Sequence, residues 1–142
     1  MAMNTGKVVV GGLVAGLVMN VIDYVTNTYV LATQMKTEMD KLNPSLMTNM
    51  EGSNTMITWI VLDFVLGILL VWTYAAIRPR FGAGPKTAVY AGLLFWLIGG
   101  VLWASLTAMG MWSWSFFALA ACGYLVNMLV SSVAGAAVYT ET

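Results

Sequence analysis

The sequence predicts an all-α fold, a four-transmembrane-helix bundle, and three observations predict it. Of the 142 residues, 60% are hydrophobic and 8% are charged, whereas soluble domains carry about a quarter charged residues. Four apolar stretches each reach the ~20 residues that a helix needs to cross a bilayer. The segments between them hold most of the charge and all three prolines. The length leaves room for those spans and no soluble domain, so 1–142 reads as a single integral membrane domain.

The first span is expected over Val8 to Leu31. Lys7 precedes it as in a signal peptide, but the apolar segment is too long and no small-residue cleavage site follows, so it is expected to be retained as a span. Next comes the outer interfacial segment 32–55, where Met35, Met39, Leu42, Leu46 and Met50 recur at nearly helical spacing. Asn43 before Pro44 reads as a cap and first helical position, and Gly52 as a stop. Two short amphipathic helices are therefore expected there, with Lys36, Asp40 and Lys41 toward water.

The second span is expected over Met56 to Ile77 and the third over Ala88 to Met109. The loop between them, RPRFGAGPK from Arg78 to Lys86, combines three cations with two prolines and two glycines, which should end one helix sharply and start the next. The last span is expected over Phe116 to Tyr139.

Lys7, Arg78, Arg80 and Lys86 fall on one side of this arrangement, and only Lys36 and Lys41 on the other. The excess of cations in cytoplasmic loops then puts both termini and the 78–86 loop in the cytoplasm. Aromatic residues mark the same boundaries: Tyr29, Trp59, Trp112 and Trp114 outside, Trp72, Tyr74, Tyr90 and Tyr139 inside. Arg78, Arg80 and Lys86 are also the candidates for holding an anionic lipid headgroup.

At 100° per residue, Gly12, Gly16, Asn20, Asp23 and Asn27 share an arc of roughly 80° on the first span. On the fourth, Gly123, Asn127, Ser131 and Gly135 repeat every four residues in the opposite direction. Small residues with polar ones among them are how a helix contact is written in a membrane. The two lists predict an antiparallel seam with Gly12 near Gly135, Gly16 near Ser131, Asn20 bonded to Asn127, and Asp23 near Gly123 and Tyr124.

Asp63 on the second span lies at a depth similar to Asp23, and no lysine, arginine or histidine lies within the spans to pair with either. Two readings stand: a hydrogen-bonded polar core, or a cation or proton site opening to the outer side. Trp96 and Trp103 lie deeper on the third span near Gly92, Gly99 and Gly100. Helix packing accounts for them, and a bound lipid or pigment there is the remaining cofactor reading, although the chain has no histidine to serve as an axial ligand.

The lack of histidine also removes the commonest general base and metal ligand. Cys122, the lone cysteine, makes no internal disulfide and is expected to be a small buried core residue. No nucleophile has a base beside it, no carboxylates have metal-ligand spacing, and Gly82 and Gly84 follow no strand. The expectation is a protein without enzymatic activity, a metal or a nucleic-acid partner.

The junction YAAIRPRFGAGPKTA, Tyr74 to Ala88, which follows VLDFVLGILLVW, resembles a loose group of small, uncharacterised bacterial inner-membrane proteins with four predicted spans. The similarity is clearest over Asp63 to Gly92 and weaker in GKVVVGGLVAGLVMNVIDYV. The resemblance implies a multi-pass protein of a bacterial inner membrane and no particular activity. Two functions compete on these observations. One is an accessory or structural subunit of a larger membrane complex, photosynthetic or respiratory for example, in contact with lipid and with other subunits or copies of itself. The other is a small homo-oligomeric proton- or cation-coupled transporter using Asp23 and Asp63.

Overall fold

A computed structural model describes residues 3–141, so residues 1, 2 and 142 of the expected domain lie outside the described part. The described residues form helices and no strand: α1 Thr5–Val25, a π-helical turn Thr26–Val30, α2 Ala32–Leu42, α3 Ser45–Met50, α4 Ser53–Phe81, α5 Pro85–Ala108 and α6 Trp114–Val138. Four helices are long and apolar enough to cross a membrane: Thr5–Val30, Ser53–Phe81, Pro85–Ala108 and Trp114–Val138. The chain is a multi-pass, all-α membrane protein.

α4 runs farther than expected because Pro79 does not end it. The chain stays helical through Pro79 and stops at Gly82, whose φ of 86° lies in the left-handed region that favours glycine. A proline two residues from the end removes a single backbone bond, and the Gly82 N–H still donates to the Arg78 carbonyl at 2.8 Å. The Thr87 hydroxyl donates to the Gly82 carbonyl at 2.7 Å and the Gly84 N–H to the Tyr74 hydroxyl at 3.1 Å, which ties the short loop to both helices.

The spans form a ring in the order α1, α4, α5, α6, with α1 packed along α4 and α6, and α5 along α6 and less extensively along α4. Two small-residue contacts set the close approaches of α1. Gly12 and Gly16 meet Gly67 of α4, and Gly11 meets Gly135 of α6. Between them Ala15, Met19, Leu70 and Val71 are wholly buried, which closes the half of the bundle that carries both termini and the 78–86 loop, termed inner, the opposite half being termed outer. A second apolar cluster at the outer end joins Leu31, Phe116 and Ala120, with Met35, Trp103 and Trp112 against it.

The outer segment is the expected pair of short helices, with Lys36, Asp40 and Lys41 exposed and Met35 and Met39 half-buried. Asn43 accepts at Oδ1 from the Ser45 N–H at 3.0 Å, and Gly52 serves as the residue before α4. At the inner end, Arg78 pairs with Glu141 at 3.3 Å and lies 5.5 Å from the Tyr139 ring centroid, while Tyr139 Oη accepts from the Asn4 N–H. Cys122 is a correction: it is exposed on α6 rather than buried. Its neighbours Ala121 and Gly123 take the contacts with α5 and the π-helical turn.

Candidate site at the outer half of the bundle

Burial of Asn127 organises the polar residues of the membrane interior. Its Nδ2 donates to Asp23 Oδ1 and to the Met19 carbonyl at 3.3 Å, and its Oδ1 accepts from the Ser131 hydroxyl at 2.9 Å. Asn127 and Ser131 are 1% and 0% exposed, so the side-chain polar atoms of these two residues are served from within the bundle, as burial demands.

The partner of Asn127 is therefore Asp23, and the expected bond from Asn20 to Asn127 is absent. Asn20 Nδ2 instead donates to the Gly16 carbonyl of its own helix at 2.9 Å and to the Ile60 carbonyl of α4 at 3.4 Å. The antiparallel seam between α1 and α6 exists, rotated by one residue. Gly11, not Gly12, meets Gly135; Gly12 lies against Ile68, and Gly16 against Phe64 and the Asp63 carbonyl. Gly123 meets the Thr26 side chain. The physical reason is that α1 carries two adjacent small faces, 11/15 and 12/16, one helical step of 100° apart, and Gly67 on α4 claims the second.

Above Asn127 the bundle opens. A half-open cleft of about 190 Å³ is lined by Asp23, Thr26 and Asn27 from α1 and the π-helical turn, Trp103 from α5, Tyr124 from α6 and Met35 from α2. π-helical turns inside α-helices are frequent at functional sites, and this one places Thr26 and Asn27 on the cleft. Tyr124 packs its ring on Gly99 and donates its hydroxyl to the Phe95 carbonyl at 3.3 Å. Asp63 is half-buried nearby, close enough to Asp23 for the two charges to interact, and none of the described residues donates a hydrogen bond to its carboxyl.

The deeper tryptophans separate. Trp103 lines the cleft and meets Phe116 and Phe117 edge-on at 6.0 and 6.1 Å. Trp96 donates Nε1–H to the Ala121 carbonyl at 2.9 Å, tying α5 to α6, while Gly92 takes the Met128 carbonyl and Ser132. Gly100 faces open space. Of the three inner-loop cations, Arg78 is engaged with Glu141 and Tyr139, whereas Arg80 and Lys86 are exposed.

Sequence reasoning missed Glu38. It is 7% exposed and accepts from the Ser113 hydroxyl at 2.7 Å, from the Ser113 N–H at 3.1 Å and from Lys41 at 3.2 Å. The Ser113 hydroxyl above all, helped by that N–H and by Lys41, holds the Glu38 carboxyl below its ordinary 4.5 against the opposing effect of burial. The clamp fastens α2 to the α5–α6 connection and so fixes Met35 over the cleft. A signal was present: Met35, Glu38, Met39 and Leu42 follow the i, i+3, i+4, i+7 pattern of one helix face.

Among the described residues no group of three or more histidine, cysteine, aspartate or glutamate side chains is placed to hold a metal ion. The site offers a carboxylate, an amide, hydroxyls and aromatic rings, which suit recognition by charge and hydrogen bonding. Compared with protein-family models, with curated proteins and with solved structures, the chain has no significant match in any of the three.

Proposed function

We propose that the chain is a non-enzymatic accessory subunit of a larger complex in a bacterial inner membrane, with both termini and the 78–86 loop in the cytoplasm. The observation that carries this reading is the outer part of α4. Nine of the ten residues from Ser53 to Leu62 are exposed, and the apolar ones lie on every side of the helix: Met56, Ile57, Trp59, Ile60, Val61 and Leu62. A helix of a self-contained bundle turns one stripe inward; three turns that bury no stripe are a surface suited to another membrane helix. α5 adds a second such face through Leu97, Ile98, Val101 and Leu102, each more than half exposed.

A specific observation favours a transporter as the second reading, namely the proximity of Asp23 and Asp63 at the outer half of the bundle. Against it stands the closed inner half, where Met19, Leu70 and Val71 are wholly buried and α1 meets α4 and α6 through glycines. Extraction from the native membrane in a mild detergent tests the choice. The expected result is co-migration with other membrane chains at fixed stoichiometry. A lone chain or pure homo-oligomer, together with proton-coupled flux that Asp23→Asn abolishes, overturns the subunit reading.

A further inference from the structure

The cleft at Asp23 is formed by this chain alone, whatever the bundle assembles with, and its lining is chemically selective. One oxygen of the carboxyl is engaged by Asn127; the other receives no hydrogen bond from the described residues. The ion pairs of the described residues lie elsewhere, at Lys41 with Glu38 and Arg78 with Glu141, so no cation among the described residues balances Asp23. A carboxylate in a largely apolar site is costly until a positive charge meets it, and the Asp63 carboxyl of α4 lies close enough to Asp23 to interact with it.

The remaining walls decide what kind of cation fits. Trp103 and Tyr124 are aromatic and Met35 apolar, and ring faces attract ammonium groups electrostatically. A hard metal ion asks for about six oxygen ligands, and beyond Asp23 the side chains of the cleft offer three, the Thr26 hydroxyl, the Asn27 amide and the Tyr124 hydroxyl. The space, about 190 Å³, exceeds the ~150 Å³ of an apolar cavity that holds benzene. We propose that the outer cleft between α1, α5 and α6 binds a small organic ammonium ion, with Asp23 as the counter-charge and Trp103 and Tyr124 as its aromatic walls.

The test titrates the full chain, in maltoside micelles free of choline headgroups, with choline and with its uncharged isostere 3,3-dimethyl-1-butanol, reading binding calorimetrically. Choline should bind saturably and at least tenfold more tightly than the alcohol. Asp23→Asn, checked for native helicity and able to keep an acceptor for Asn127, should weaken choline at least tenfold, and Trp103→Leu should weaken it as well. Equal binding of the alcohol, absence of saturable choline binding, unchanged affinity in folded Asp23→Asn, or displacement of choline by equimolar potassium each overturns the proposal. Should Asp23→Asn fail to fold, the comparison of choline with the alcohol on the unaltered chain decides alone.

Discussion

Gly12 of α1 and Gly67 of α4 touch backbone to backbone: a methyl group on Gly67 would strike the Gly12 carbonyl oxygen and stand 2.5 Å from the Gly16 nitrogen. Neither atom can rotate aside, because both belong to helical backbone. Gly67→Ala should therefore push α1 and α4 apart and cost about 1–3 kcal/mol, the usual range for overpacking. Gly100→Ala, where nothing lies within 4 Å, should leave stability unchanged or slightly raised. Unfolding in mixed micelles by added anionic detergent measures both.

The two intramembrane asparagines should respond differently to leucine. Asn127→Leu leaves Asp23 and Ser131 without their partner inside the bundle, and unsatisfied buried polar groups cost about 1–3 kcal/mol. Asn20 is half-buried, its nearer bond is to its own helix and its bond to α4 is long at 3.4 Å, so Asn20→Leu should cost less than ~1 kcal/mol, near the average for interhelical bonds in membranes. Equal losses in the same unfolding assay would contradict this bonding pattern.

Acid should loosen α2. The folded chain holds Glu38 below the unfolded value, so the clamp contributes fully above an ordinary glutamate's 4.5 and its contribution is lost as pH falls through the lower, folded-state value. Amide exchange within 32–42 should rise relative to α6 as pH drops below 4.5, once the intrinsic pH dependence of exchange is divided out. Glu38→Gln should raise that exchange already at neutral pH and flatten its pH dependence.

Cys122 tests how the bundle sits in lipid. It is exposed on α6, nine residues into a helix that begins at Trp114 and so about 12 Å from its outer end. A bilayer-soluble maleimide should label it in intact membranes, whereas a charged, impermeant one should not. Protection from both reagents would mean that another chain covers this face.

Hydropathy made the four spans legible because membrane crossing is a constraint on composition and length, and both are read directly from sequence. The seam was legible only to within one helical step. The sequence marks 12/16/20 as a small and polar face, but the equally small face 11/15 lies beside it, and the choice between them belongs to Gly67, a lone glycine in a span otherwise free of small-residue spacing. Asn127 was visible as a polar residue on a helix face; that it bonds Asp23 and not Asn20 follows from that same rotation. Glu38 shares a helix face with Met35 and Met39, but a carboxylate in a loop ordinarily points to water, and the partner that holds it inward, Ser113, lies 75 residues away in the sequence.

The π-helical turn at Thr26–Val30 acts as a phase adjuster. A wide turn holds one residue more than an α-helical turn needs, so everything after it is rotated by about 100° relative to an uninterrupted α1. The orientation of α2 is thus written as a count of residues. Removing one residue between Thr26 and Val30 would restore regular winding without touching α2 itself, and would turn Glu38 away from Ser113 and Met35 away from the cleft.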